Sequence, residues 1–510
     1  MTIELDGPGV TIDEVMAVAR RGEPVELTKR AIERMAVARA IVDDLAEGDP
    51  KYGISTGFGA LATVSIPRER RQALQTALVR SHAAGMGDPV EDEVVRAMVF
   101  LRARTLALGA SGSRPLVAEA MVDALNAGIT PIVPEYGSLG ASGDLAPLAH
   151  GALALLGEGE VHHDGRRKPA AEALRVAGLE PIALAEKEGL SVTNGTDAIL
   201  GMLCLAVADT QRLLAQADMI AAMTVEGLLA TPAPFDADLQ ALRPHPGQAV
   251  SASNLRRMLD GSPIVASHAT DDPRVQDAYS IRCTPSVHGA ARDTLDHVRT
   301  VAERELASAI DNPLVLPDGR VASCGNFHGA PLGFAADFLA IAVAEIGAIS
   351  ERRIDRMLDR TRSHGLPPFL ADEVGVDSGL MIGHYTAAGM ASENKRLAAP
   401  ASVDSLPTSG MQEDHVSMAW HAARKLRRVI DNVRRIVAVE YVSAARAIDL
   451  RGPLQPAMAT GALVALLREH VAGPGPDRFL APELAEAERL LMDDRPNEVL
   501  ATVGVTLDQE

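Results

Sequence analysis

Cysteine is scarce in this 510-residue chain, and so are aromatic residues. The three cysteines, Cys204, Cys283 and Cys324, are too few and too uneven for a disulfide framework, which points to a reducing cytoplasm. The opening residues Met1-Thr2-Ile3-Glu4-Leu5-Asp6 lack the basic region and apolar core of a signal peptide. The longest apolar run, residues 198–208, is too short to span a bilayer. Basic residues number 49 against 68 acidic ones, and the resulting net charge of -19 argues against a nucleic-acid partner. Aromatics make up only 3%, and alternating strand patterns are few. Ala, Leu and Val dominate, with many segments of helical periodicity, so a large, mainly α protein is expected.

One stretch organises the chain: Val133-Pro134-Glu135-Tyr136-Gly137-Ser138-Leu139-Gly140-Ala141-Ser142-Gly143-Asp144-Leu145-Ala146-Pro147-Leu148-Ala149-His150. At its centre Ser142 stands between residues with little or no side chain, where a backbone can bend tightly and approach itself. The amide nitrogen of Gly143 is unhindered. Its attack on the Ala141 carbonyl would close a five-membered ring. Loss of water from the ring and from the Ser142 side chain would leave an exocyclic methylidene, an electrophile that no ordinary side chain supplies. The plainer reading is a Gly/Ser turn ahead of a helix capped by Asp144, and a bare Ala-Ser-Gly favours the turn.

The longer string Gly-Ser-Leu-Gly-Ala-Ser-Gly-Asp-Leu-Ala-Pro-Leu is far more specific. It resembles the hallmark of the ammonia-lyases and aminomutases that carry a self-made 4-methylidene-imidazol-5-one group, abbreviated MIO. The resemblance extends from about Tyr52 to about Arg451 and is strongest to the histidine-acting branch. It implies an elongated bundle of long central helices with the fumarase/aspartase-like architecture. It also implies an MIO formed from Ala141, Ser142 and Gly143, with no external cofactor, and a homotetramer whose active sites take residues from three chains. The chain then divides into residues 1–196 with the Tyr52 loop and the MIO segment, 197–450 as the long-helix bundle, and 451–510 as a helical C-terminal segment.

Other strings carry the remaining roles. Tyr52-Gly53-Ile54-Ser55-Thr56-Gly57-Phe58-Gly59 is glycine-rich enough to be a movable loop. It is similar to the family loop whose tyrosine takes part in proton transfer, which implicates Tyr52. Ser81-His82 occupies the family's substrate-selectivity position. Gly195 follows Asn194 in a string resembling the family's Asn-Gly-Thr motif, whose Asn bonds the prosthetic group. In Gln276-Asp277-Ala278-Tyr279-Ser280-Ile281-Arg282, Tyr279 and Arg282 share one side of a helical turn. The resemblance makes Arg282 the carboxylate clamp, Gln276 a positioning group and Tyr279 the alternative to Tyr52 as the base. Gly325-Asn326-Phe327-His328-Gly329 offers Phe327 as a pocket wall. Ser409-Gly410-Met411-Gln412-Glu413-Asp414-His415-Val416-Ser417-Met418 is histidine-branch-like, and the resemblance has Glu413 meeting the substrate side chain.

The implied reaction is the elimination of ammonia from L-histidine to give trans-urocanate. A tyrosine- or phenylalanine-acting lyase or a 2,3-aminomutase shares the electrophile, and a non-catalytic helical scaffold is the reading from another class. Gly383-His384-Tyr385 and Thr284-Pro285-Ser286 depart from the commoner family strings. No metal is expected. His162-His163 flank the hairpin turn Asp164-Gly165, and adjacent histidines cannot share a helix face. The basic run from Arg424 to Arg435 has Leu426, Val429, Ile430, Val433 and Ile436 at helical spacing, which makes its charges the solvated face of a helix. Residues 338–349 read as a buried core helix despite Glu345.

Overall fold

The computed structural model describes residues 2–46, 66–270, 272 and 274–508. The chain forms two compact units. The first contains Met1–Ala208, Arg299–Asp337 and Pro400–Arg424; the second contains Asp209–Val298, Phe338–Ala399 and Lys425–Glu510. Helices dominate, and among the described residues no sheet exceeds three strands.

The first unit begins with a reciprocal cap. Thr11 Oγ1 accepts from the Glu14 amide, and the Glu14 carboxylate accepts from the Thr11 amide at 2.8 Å. This satisfies two of the donors that a helix N-terminus leaves over. The Ile12–Arg21 helix that follows ends at Gly22, whose φ of 64° suits glycine. Together with the Pro115–Asn126 helix it packs on the Asp92–Ala107 helix, whose Val94, Met98, Leu101 and Thr105 are all buried. Strand Met86–Pro89 pairs antiparallel with Pro134–Tyr136 and so delivers the chain to the Ala-Ser-Gly segment. Asp164 and Gly165, both at positive φ, turn the hairpin Glu160–His163/Arg166–Pro169. His162 there pairs with Asp92 at 2.8 Å. Among the described residues no group of His, Cys, Asp and Glu is arranged to hold a metal ion.

Four helices are long: Asp197–Gly227, Thr284–Leu306, Ala330–Leu358 and Ala419–Asp449. In the last, Leu426, Val429, Ile430, Val433 and Ile436 are buried, and the arginines between them occupy the other face. Asp197–Gly227 and Ala330–Leu358 are apolar and long enough to cross a membrane by composition alone, but 78% and 61% of their most apolar windows are buried inside the protein. The second of these is not buried all round as residues 338–349 suggested. Phe334, Phe338 and Ile341 remain 59%, 49% and 48% exposed. They recur at i, i+4 and i+7, one stripe of the helix, so apolar composition alone could not say which face is covered within the chain.

The second unit holds an ion pair in its apolar interior. Arg353 and Glu440 are both fully buried. Glu440 accepts from Arg353 Nε at 2.6 Å, Arg353 Nη2 at 2.9 Å, Thr224 Oγ1 at 2.7 Å and the Ser350 hydroxyl. A buried charge is tolerated only with this degree of satisfaction. Arg353→Met, which strands the carboxylate, should therefore lower unfolding stability by about 3–5 kcal/mol. The double change Arg353→Met with Glu440→Leu should lose less than the single one. Denaturant unfolding of the two variants tests this, and equal losses would show that the pair itself is stabilising rather than merely mutually dependent.

Candidate active site

The Ala-Ser-Gly segment is held by backbone contacts that only glycine permits. Gly143 lies against Gly195 in an isolated parallel bridge. A Cβ on Gly143 would fall 2.0 Å from the Gly195 carbonyl oxygen, and one on Gly195 would fall 2.3 Å from an Arg102 nitrogen. The Asp144 amide donates to that same Gly195 oxygen at 2.6 Å. On the other side, Gly140 O accepts from the Gly329 amide at 2.9 Å and from Ser417 Oγ at 2.8 Å. The Met418 amide donates to Leu139 O at 2.8 Å. Ala141 is buried with Val416 and Met418.

Asp144 stands at the N-cap position of the Leu145–Leu155 helix but makes no side-chain cap there. Its Oδ2 instead accepts from the Ala198 and Ile199 amides, both at 3.0 Å, and Oδ1 accepts from Ser138 Oγ at 3.0 Å. The carboxylate thus caps the Asp197–Gly227 helix from a distant segment, against the expectation that it caps its own. A helix N-terminus offers both free amides and a favourable dipole to an acid. Complete burial nevertheless pushes the Asp144 pKa up to about 7, with the nearby Asp197 adding to the rise.

Ser142 is half-buried, and its Oγ donates to Glu413 Oε1 at 2.9 Å. Asn194 Nδ2 donates to the Ser142 carbonyl at 3.3 Å. Asn194 is 4% exposed, and its Oδ1 is buried with no partner among the described residues. Behind it, Arg102 donates to the Asn194 carbonyl at 2.9 Å and pairs with Asp197 at 3.1 Å. Arg102 also donates to Ile310 O at 2.9 Å, and Asp197 accepts from Thr105 Oγ1 at 2.9 Å. His82 ends the Arg71–His82 helix. Burial lowers its pKa, and the Glu413 charge opposes that. Phe327 is half-buried in the turn closed by the His328 amide and Gly325 O at 3.1 Å. The rings of His328 and His415 stack, 5.8 Å between centroids.

The first unit therefore brings together Ala141, Ser142, Gly143, Asn194 and Glu413, with His82 in electrostatic range of Glu413 and the Phe327 turn tied to Gly140. The second unit contains Gln276, which is exposed, and Tyr279 and Arg282, which are in contact. The Arg282 guanidinium lies over the Tyr279 ring, 4.5 Å from its centroid. Arg282 Nε donates to Asp277 O at 3.1 Å, and Tyr279 is 71% exposed. Tyr52 lies outside the described residues.

Sequence reasoning missed Arg102, Asp197, Thr408 and Ser417. Arg102 looks like one more charge on an amphipathic helix, and only the fold shows it buried behind Asn194. Ser417 sits inside a string already singled out, but its contact with Gly140 is long-range.

The residues fit an MIO group. Glycine stands at the nucleophilic nitrogen where any side chain would collide, a donor reaches the serine carbonyl, and Asn194 Oδ1 has an unused acceptor.

These features can be set beside known proteins. The chain is 59% identical to a histidine ammonia-lyase of Streptomyces griseus over 499 residues, covering 97% of each chain. Among solved structures it superposes on a histidine ammonia-lyase from Trypanosoma cruzi with a TM-score of 0.91 at 40% identity, covering 98% of this chain and 95% of the other. It also superposes on a tyrosine aminomutase from Streptomyces globisporus with a TM-score of 0.94 at 37% identity, covering 100% of both. The family model described as "Aromatic amino acid lyase" matches residues 10–469, and the chain belongs to that family of MIO-dependent lyases and aminomutases.

Proposed function

We propose that this protein eliminates ammonia from L-histidine to give trans-urocanate, with an MIO group formed from Ala141, Ser142 and Gly143. The observation that carries the reading is the Glu413 carboxylate, 2.9 Å from Ser142 Oγ, with His82 electrostatically coupled to it. A carboxylate and an imidazole so near Ser142 support recognition of a polar ring there. The histidine ammonia-lyases among its relatives support the same substrate.

The reaction is difficult because ammonia leaves poorly and the β-hydrogen is barely acidic. An MIO group held by Asn194 would supply the electrophile for the substrate amine, which would make nitrogen a better leaving group. Arg282 holds the substrate carboxylate through two parallel N–H donors. The phenolate oxygen of Tyr279 or of Tyr52 accepts the β-proton. Asn194, which donates to the Ser142 carbonyl, would hold the group, Gln276 positions substrate, and Phe327 forms a wall beside the substrate ring. His82 and Glu413 bind the imidazole, whose two nitrogens can donate or accept where a phenyl ring can do neither. A carboxylate facing phenyl would be left unpaired at a cost. The protein works in the cytoplasm as a homotetramer, each site assembled from three chains. The open ring of Tyr279 and the apolar stripe Phe334, Phe338, Ile341 are surfaces suited to cover by further copies.

Ser142→Ala should keep a wild-type circular dichroism spectrum and lose the near-ultraviolet absorbance of the MIO along with turnover. Near-wild-type turnover would sink the mechanism, and normal folding without turnover also disposes of the scaffold reading. Arg282→Ala should reduce kcat/KM on the order of a hundredfold or more, the consequence of about 3–5 kcal/mol lost from a buried charge pair. Unchanged kinetics would assign the carboxylate to another group. The wild type should deaminate histidine far faster than tyrosine or phenylalanine, and Glu413→Gln should narrow the gap to phenylalanine. Parallel kinetics with the three amino acids decide this, and a wild-type preference for either aromatic substrate would overturn the histidine assignment.

A further inference from the structure

The hydrogen bond from Ser142 Oγ to Glu413 joins residues 271 positions apart in the chain. The hydroxyl it uses is lost when the MIO forms. Glu413 is itself fixed from behind. Its Oε2 accepts from Thr408 Oγ1 at 3.1 Å, while the Thr408 amide donates to Glu413 O at 3.0 Å and the Glu413 amide to Thr408 O at 3.3 Å. Between them Ser409, Gly410 and Met411 sit at φ 52°, 62° and 69°. Two non-glycine residues at positive φ, one on each side of a glycine, persist only where the surroundings over-determine the backbone. The loop therefore presents one carboxylate oxygen to Ser142 in a single place.

We infer that Glu413, set by Thr408, is a positioning residue for maturation, and that loss of the Ser142 hydroxyl hands the same carboxylate oxygen to the substrate. The inference rests on the proposed reading only for that second partner. In maturation the Gly143 nitrogen bonds to the Ala141 carbonyl carbon; the carbonyl oxygen leaves as one water with the Gly143 and Ser142 amide protons, and a C=N bond forms between that carbon and the Ser142 nitrogen. The Ser142 Cα–H bond then breaks, its electrons become the Cα=Cβ bond, and the Cβ–Oγ bond breaks. The departing hydroxyl and the Cα proton, carried through solvent, make the second water. The sequence is redox-neutral and requires no co-reactant. Glu413 acts by fixing the side-chain torsion of Ser142, so that the Cβ–Oγ bond keeps one orientation against the Cα–H bond that breaks with it. Free rotation of the serine would populate that geometry only part of the time. Loss of the hydroxyl also frees the Oε1 lone pair that received it, and the substrate ring can then donate there.

The test is the rate of maturation, without any amino acid substrate. Full-length chain is made by cell-free synthesis, and its intact mass is followed against time for the loss of two waters, alongside near-ultraviolet absorbance and circular dichroism. A hydrogen bond to a charged group, fully expressed in the step, corresponds to about ten- to a hundredfold in rate. Glu413→Ala should mature more slowly by that factor. Glu413→Gln, which keeps an acceptor oxygen without the charge, should fall between it and wild type. Thr408→Val should slow maturation with the carboxylate still present, and Thr408→Ser should restore the rate. Thr408→Val carries the test alone if Glu413→Ala fails to fold. Wild-type maturation rates in Glu413→Ala, or in Thr408→Val, would overturn the inference. Slow maturation in a protein whose wild type prefers another amino acid would leave it standing and remove the histidine reading; normal maturation in a Glu413→Ala protein with lost histidine turnover would do the reverse.

Discussion

The active-site end of the first unit depends on one close approach, the Gly143 backbone against the Gly195 backbone. With the Asp144 amide 2.6 Å from Gly195 O, no side chain fits at either glycine. That contact brings Ser142 beside Asn194 and leads the chain directly into the Asp197–Gly227 helix. It also accounts for Asp144. Once the two backbones meet, its carboxylate lies at the free amides of that helix rather than its own, and the contact and the cap reinforce each other.

Around this approach the protein places ions where water is absent. Arg102 and Asp197, and Lys187 and Asp311, form pairs with 0–2% exposure. Glu188, fully buried, takes Arg114 bidentately and the Ala185 and Arg114 amides. Burial pushes the Lys187 pKa down, and Asp311 opposes that. Such pairs contribute little net stability against an apolar alternative, but breaking one is severe. Their effect is to fix a few backbone carbonyls: Arg102 holds those of Asn194 and Ile310, and Arg104 donates to those of Glu305 and Ser308. A ring closure that needs an amide nitrogen pressed toward a carbonyl carbon gains from a frame of this stiffness, because the geometry is set before the reaction begins.

Substrate choice is a separate matter from the frame. The family uses one backbone for histidine, tyrosine and phenylalanine chemistry, so fold cannot name the ring. The discrimination proposed here rests on two side chains, His82 and Glu413, and on the small strained loop that holds the second of them. Strain is stored where a functional group must be held in one place, and Ser409 to Met411 follow that pattern.

The sequence by itself determined the helical class, the Thr11 capping box, the Asp164-Gly165 hairpin and the amphipathic Arg424–Arg435 face. Each depends on neighbours a few residues apart, within reach of periodicity and turn chemistry. It also marked Ser142, Asn194 and Glu413 as candidates through the family resemblance of their motifs. Only the tertiary structure decided that Asp144 caps a distant helix, that Arg102 is buried behind Asn194, that Thr408 braces Glu413, and that Phe334, Phe338 and Ile341 stay uncovered. Those outcomes turn on contacts between segments far apart in the chain or on which face of a helix finds a neighbour. An arginine on an amphipathic helix has the same local pattern whether water or a carbonyl oxygen receives its protons, and packing alone chooses between them.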